Sequence, residues 1–226
     1  MHKFSGFLKH ALIWFALTSL VQAVPAVTVT PPDLFGPRTG NDVTIGWEFS
    51  TNSAITVTSL GFFDDLQDGL LQSHEVGIFS AGTLLASAII PAGTGATLIN
   101  QFRWVAIAPL GLSAGQTFRI GAYLPSLPLS TPRDSFMFDP TGFASAPEIN
   151  FVGRRFLFGG FGDPNAGTSQ PGAFGPNFDF VAAATGVPEI NGHLGNPLAI
   201  ALLWLGIMAS RRCSSRLKTA GPCECA

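Results

Sequence analysis

The sequence predicts an all-β fold, a β-sandwich or jelly-roll-like domain over residues 24–186, and three observations carry that prediction. Apolar residues alternate with polar ones at a period of two in several short runs. Glycine and proline punctuate these runs at roughly 10-residue intervals. Helical periodicity of useful length is missing from this part of the chain.

The first clear strand is Val43, Ile45, Trp47 and Phe49, set against Thr44, Gly46 and Glu48, which predicts one buried face. Ile55 and Val57 then alternate with threonines, while Leu60 and Phe62 continue on the opposite phase. A bulge near Ser59–Gly61 reconciles the two phases. Val76 and Ile78 open a third strand, ended by a turn at Ala81-Gly82. Leu84 to Ile90 is a fourth, closed by Pro91 and the loop Gly93-Thr94-Gly95. Phe102 to Ile107 and Thr117 to Tyr123 follow, separated by Pro109-Leu110-Gly111 and Ala114-Gly115. Ser135 to Phe138, Ile149 to Val152, Arg155 to Phe158 and Phe178 to Val181 complete the set. Between the last two, Gly159 to Pro176 reads as a long loop, the kind that is functional or mobile. In and beside this loop, Phe158 to Phe161 and Phe174 to Phe178 are the aromatic residues placed where they could meet sugar rings, although packing in the core or the loop is the favoured reading.

Four carboxylates and one histidine crowd into Asp64-Asp65-Leu66-Gln67-Asp68-Gly69-Leu70-Leu71-Gln72-Ser73-His74-Glu75. Counted as a twelve-residue calcium loop, Asp64 falls at position 1, Asp68 at 5, Gly69 at 6 and Glu75 at 12. Asp64, Asp68 and Glu75 are therefore the candidate metal ligands, and calcium suits their oxygen chemistry. Leu66 stands where a third loop ligand would be, and strand-like flanks replace the helices of an EF-hand. The competing reading is a solvated hairpin turned by Asp68-Gly69. No catalytic residue is assigned. Ser73, His74 and Glu75 alternate faces on a strand and cannot form a triad by themselves, and a lone histidine beside a loop reads as a surface residue.

The two ends read as addresses. Lys3 and Lys9, the apolar run from Ala11 to Val21 and the small residue Ala23 form a signal peptide over residues 1–23, cut after Ala23. Near the other end, residues 194–210 form a transmembrane helix about 25 Å long. Arg211, Arg212, Arg216 and Lys218 follow it, which places the tail, residues 213–226, in the cytoplasm.

Between these ends lies a body of roughly 165 residues, enough for one domain. Every lysine of the chain lies outside it, so it keeps six arginines against twelve acids and a net charge of −6, compared with −2 for the whole chain. That sign excludes a nucleic-acid partner held through phosphate. The body contains no cysteine, so an exported form must be held together by its core.

Val187-Pro188-Glu189, a short apolar span and Arg211-Arg212 resemble the PEP-CTERM sorting signal of bacterial envelope proteins, here spanning residues 187–212. Ile190 replaces the usual second proline, and the tail runs on through Cys213, Cys223 and Cys225. Gly46-Trp47-Glu48-Phe49, Leu60-Gly61-Phe62-Phe63-Asp64-Asp65 and His74-Glu75-Val76-Gly77-Ile78 are similar to an uncharacterised β domain that recurs in such proteins. Phe102-Arg103-Trp104-Val105 and Gly175-Pro176-Asn177-Phe178 fit the same domain. The resemblance implies export to the cell envelope or extracellular matrix, a membrane anchor at least before processing, an exosortase-like processing enzyme, and association with exopolysaccharide. It brings no catalytic activity with it. The expected function is that of a non-enzymatic surface protein; the alternative is a carbohydrate-binding module, with or without calcium.

Overall fold

A computed structural model describes residues 22–30, 34–35, 42–128, 130–138, 142–169 and 172–183. The predicted signal peptide up to residue 21 and the sorting signal from Val187 onward lie outside these residues, as do the transmembrane helix and the tail. The chain divides into two compact units, and all described residues belong to the first, which ends at Ala183.

In chain order the strands are β1 (Val24–Pro25), β2 (Val27–Thr30), β3 (Leu34–Phe35), β4 (Val43–Thr51), β5 (Ile55–Phe63), β6 (His74–Ser80), β7 (Thr83–Ile90) and β8 (Thr97–Ile99). They continue as β9 (Phe102–Leu112), β10 (Thr117–Leu124), β11 (Phe136–Met137), β12 (Gly142–Ser145), β13 (Ile149–Phe158), β14 (Ala166–Gly167) and β15 (Pro176–Ala182). The described residues include no helix. One sheet has the spatial order β1-β15-β5-β9-β8 and the other β14-β13-β4-β10-β6-β7. All named pairings are antiparallel, with β3 joined to β11 and β2 to β12 as small flanking ribbons. The architecture is all-β and consistent with a β-sandwich.

Alternation builds the interior. Ile45, Trp47 and Phe49 of β4 are buried against β15, where Phe178 lies 5.7 Å from Trp47 and 4.9 Å from Phe49 between ring centroids. Phe118 of β10 adds to the same cluster at 5.7 Å from Phe49. The Trp47 indole would be costly to bury with an idle N–H, and it donates to the Pro176 carbonyl at 3.0 Å. Burial of each such ring contributes about 1.5–3 kcal/mol.

The phase change in β5 is a bulge at Thr58. Val57 pairs with Phe180 and Ser59 with Asp179, which leaves Thr58 as the extra residue. On the other side, Val57 pairs with Leu110 and Ser59 with Ala106. Pro109 thus falls in the irregular part of the ladder, where its missing N–H does no harm. For this reason Pro109-Leu110-Gly111, expected to separate strands, lies inside β9. Ile149–Val152 and Arg155–Phe158 are likewise one strand, β13, with a register shift between Phe151 and Gly153.

The outer face of β4 is covered rather than solvated. Gly46 pairs with Gly121 and Gly121 with Gly77, which gives a row of three glycines across β4, β10 and β6. A Cβ on Gly77 would stand 2.7 Å from the Phe161 ring, and one on Gly121 would stand 3.1 Å from Pro164. The start of the long loop after β13 therefore lies as a strap in the trough that these glycines leave. The Thr44 hydroxyl donates to the Gly160 carbonyl at 3.1 Å, and Phe161 packs on Phe79 at 5.5 Å. Beside the trough, Glu48 accepts from Arg119 Nε at 2.6 Å and from Arg155 Nη2 at 2.8 Å. Asp163 of the strap accepts from Arg119 Nη1 at 2.9 Å.

Candidate functional site

The acidic segment is tied inward along most of its length. Asp64 is 2% exposed, and its Oδ2 accepts from Arg103 Nε at 2.7 Å and from the Gly69 N–H at 3.1 Å. The other two guanidinium nitrogens of Arg103 donate to the carbonyls of Ala96 and Gln67, each at 3.2 Å. Phe62 is in register with Arg103, so the cation shares the interior face with that ring. Gln67 (φ 60°) and Gly69 (φ 115°) turn the backbone, and a two-way bridge between Leu70 and Gly93 closes the loop.

A second buried pair lies close by. The Asp134 carboxylate accepts from the Leu71 and Gln72 N–H groups at 2.8 and 2.9 Å and faces His74 Nε2 at 2.9 Å. His74 Nδ1 faces the Tyr123 carbonyl at 3.1 Å, and the imidazole stacks on Phe62 with 3.8 Å between centroids. A carbonyl can only accept, so Nδ1 carries a hydrogen.

The three candidate calcium ligands are not brought together. Asp64 is committed to Arg103, Asp68 is exposed, and Glu75 accepts from Ser87 Oγ at 3.4 Å on β6. The fourth acid, Asp65, accepts from the neighbouring Leu66 N–H at 2.9 Å. Among the described residues no group of three His, Cys, Asp or Glu is gathered so as to hold a metal ion. The simple hairpin reading also falls short, because the segment docks on both Gly93 and Asp134. His74, expected at the surface, is 1% exposed. Its inward phase, shared with Val76 and Ile78, was the available signal. Asp134, sixty residues away in sequence, carried none.

The aromatics in and beside the long loop divide. Phe158 is 70% exposed, whereas Phe174 and Phe178 are fully buried. Among the described residues a groove of about 410 Å³ lies elsewhere, between Pro25 to Val29 and the turn Asn100-Gln101, with Phe102 also in its lining. Asn177 fixes one wall by accepting from the Val27 N–H at 3.3 Å and donating to the Val27 carbonyl at 2.8 Å. Among the described residues no charged side chain lines this groove.

No helix of the described residues is long and apolar enough to cross a membrane, and the predicted span at 194–210 lies outside them. No protein-family model matches the chain, and neither a curated protein nor a solved structure matches it.

Proposed function

We propose that the chain is an exported cell-surface or extracellular-matrix protein, associated with exopolysaccharide and without catalytic activity. In this reading a jelly-roll-like sandwich is carried between a cleaved signal peptide and a PEP-CTERM-like sorting signal. One observation supports this reading most. Among the described residues the strands run from Val24, the residue after the expected cut at Ala23, to Ala182, just ahead of Val187-Pro188-Glu189. The body within those limits has no cysteine and relies on a large aromatic core with paired interior charges, which suits a protein displayed outside the cell. Mass spectrometry of the protein from its host tests the proposal. A mature N-terminus at Val24 and recovery in the envelope or medium are expected; full-length protein in the cytoplasm would end it. The mature C-terminus reads out exosortase-like processing in the same experiment.

A second reading, a carbohydrate-binding module, is favoured by the groove beside Asn100-Gln101, whose described lining carries no charge. Glycan-array binding by the purified full-length protein is its test.

A further inference from the structure

We infer that the groove between β2 and the β8–β9 turn is a binding site for a neutral, hydroxyl-rich ring such as one unit of an uncharged polysaccharide, and that Gln101 is its principal polar contact. This rests on the carbohydrate-binding reading and names its site. Ile99 pairs with Phe102, so Asn100 and Gln101 alone make the hairpin turn, and both have positive φ, 49° and 68°. The β6–β7 hairpin has the same two-residue turn, and there glycine takes the second position, in Ala81-Gly82. Glycine is the residue that such a turn favours, since a Cβ at positive φ crowds the backbone. Asparagine tolerates the conformation; glutamine does so at a cost. A strained side chain where glycine would be easier points to a use for that side chain.

The backbone of Gln101 is already employed, its carbonyl accepting from the Asp64 N–H at 2.8 Å, which anchors the turn to the buried Asp64–Arg103 pair. Neither the Asn100 nor the Gln101 side-chain amide has a hydrogen-bond partner among the described residues. Both residues line the groove, opposite Pro25 and the β2 residues Val27, Thr28 and Val29, which form the other wall. Two free amides offer donors and acceptors together, as vicinal hydroxyls require. With no charge among the described residues of the lining, those residues have nothing to neutralise a phosphate, a carboxylate or a metal ion. Its volume of about 410 Å³ falls within the range of small-ligand sites.

The test compares full-length wild type with Gln101→Gly and Asn100→Ala on an array of neutral and uronic-acid glycans, with calorimetry on the best neutral oligosaccharide and its monosaccharide. Melting temperatures are measured alongside. Neutral glycans should bind, and affinity should fall at least about tenfold in Gln101→Gly while its melting temperature rises. Oligosaccharide binding without monosaccharide binding identifies a polymer-reading site; equal binding identifies a site for the free sugar, and either supports the groove. Undiminished binding by both variants would overturn the groove and leave the module reading in place. A blank array would remove both. A lower melting temperature for Gln101→Gly would overturn the strain argument.

Discussion

Asp64 and Arg103 meet at 2.7 Å with side chains only 1% and 6% exposed, deep enough that neither can turn to water. Removing one partner of such a pair leaves an uncompensated buried charge and costs about 3–5 kcal/mol. Asp64→Ala should therefore destabilise the fold by about that amount, with or without calcium. Asp68 is exposed and Glu75 lies at the partly exposed outer side of β6, so Asp68→Ala and Glu75→Ala should stay within about 0.5 kcal/mol of wild type. A calcium loop would behave differently: all three substitutions would abolish one shared, calcium-dependent gain in stability. Urea denaturation of the three variants in calcium and in chelator separates these patterns. Asp64 was visible in the sequence as one acid among four. Its burial was not, because the cation that neutralises it sits 39 residues further along, in a strand whose alternation looked purely structural.

Strand identities were legible because period-two alternation and glycine or proline punctuation are local. The opposed phases of Ile55-Val57 and Leu60-Phe62 disclosed the bulge that β5 carries at Thr58. The sequence was silent where a distant segment supplied the cover. Thr44, Gly46 and Glu48 read as a solvated face, yet the strap from Gly159 to Pro164 crosses it, and this depends on register between strands far apart in sequence. The glycine row can be tested directly. A Cβ on Gly46 would lie 1.8 Å from the Ile120 carbonyl oxygen, a backbone atom of the neighbouring strand. Gly46→Ala must therefore open the β4–β10 ladder at its centre. A Cβ on Gly77 would meet chiefly the tips of Phe161 and Leu84, which can move. Gly77→Ala should displace the strap while sparing the core, exposing Phe161 to limited proteolysis with a loss of about 1–3 kcal/mol. Gly46→Ala should cost more. If the two variants were equally stable, the strap would not be lying in a glycine trough.

Charge placement across the whole body shapes its response to pH, and two carboxylates act in opposite directions. Asp179 lies half-buried on β15 between Pro25 and Ser59, and burial pushes its carboxyl up from 3.8 to about 6. Between those values the folded protein holds a proton that the unfolded chain has released, so stability falls as pH rises through that window. Glu48 shows the reverse. Burial alone would raise it, but the hydrogen bonds and charges of Arg155 and Arg119 prevail and hold it below its ordinary 4.5. Its contribution is present above that value and is lost as pH falls through the lower folded one. The two slopes meet in mildly acidic solution, where Asp179 is protonated and Glu48 is still ionised. Asp179→Asn keeps the shape of the side chain and removes the burial of a charge, so at pH 7 it should be more stable than wild type. Its stability should also lose the decline between about pH 4 and pH 6. Urea denaturation of both proteins across that range reads this out. Parallel curves for wild type and Asp179→Asn would mean that another group sets the slope.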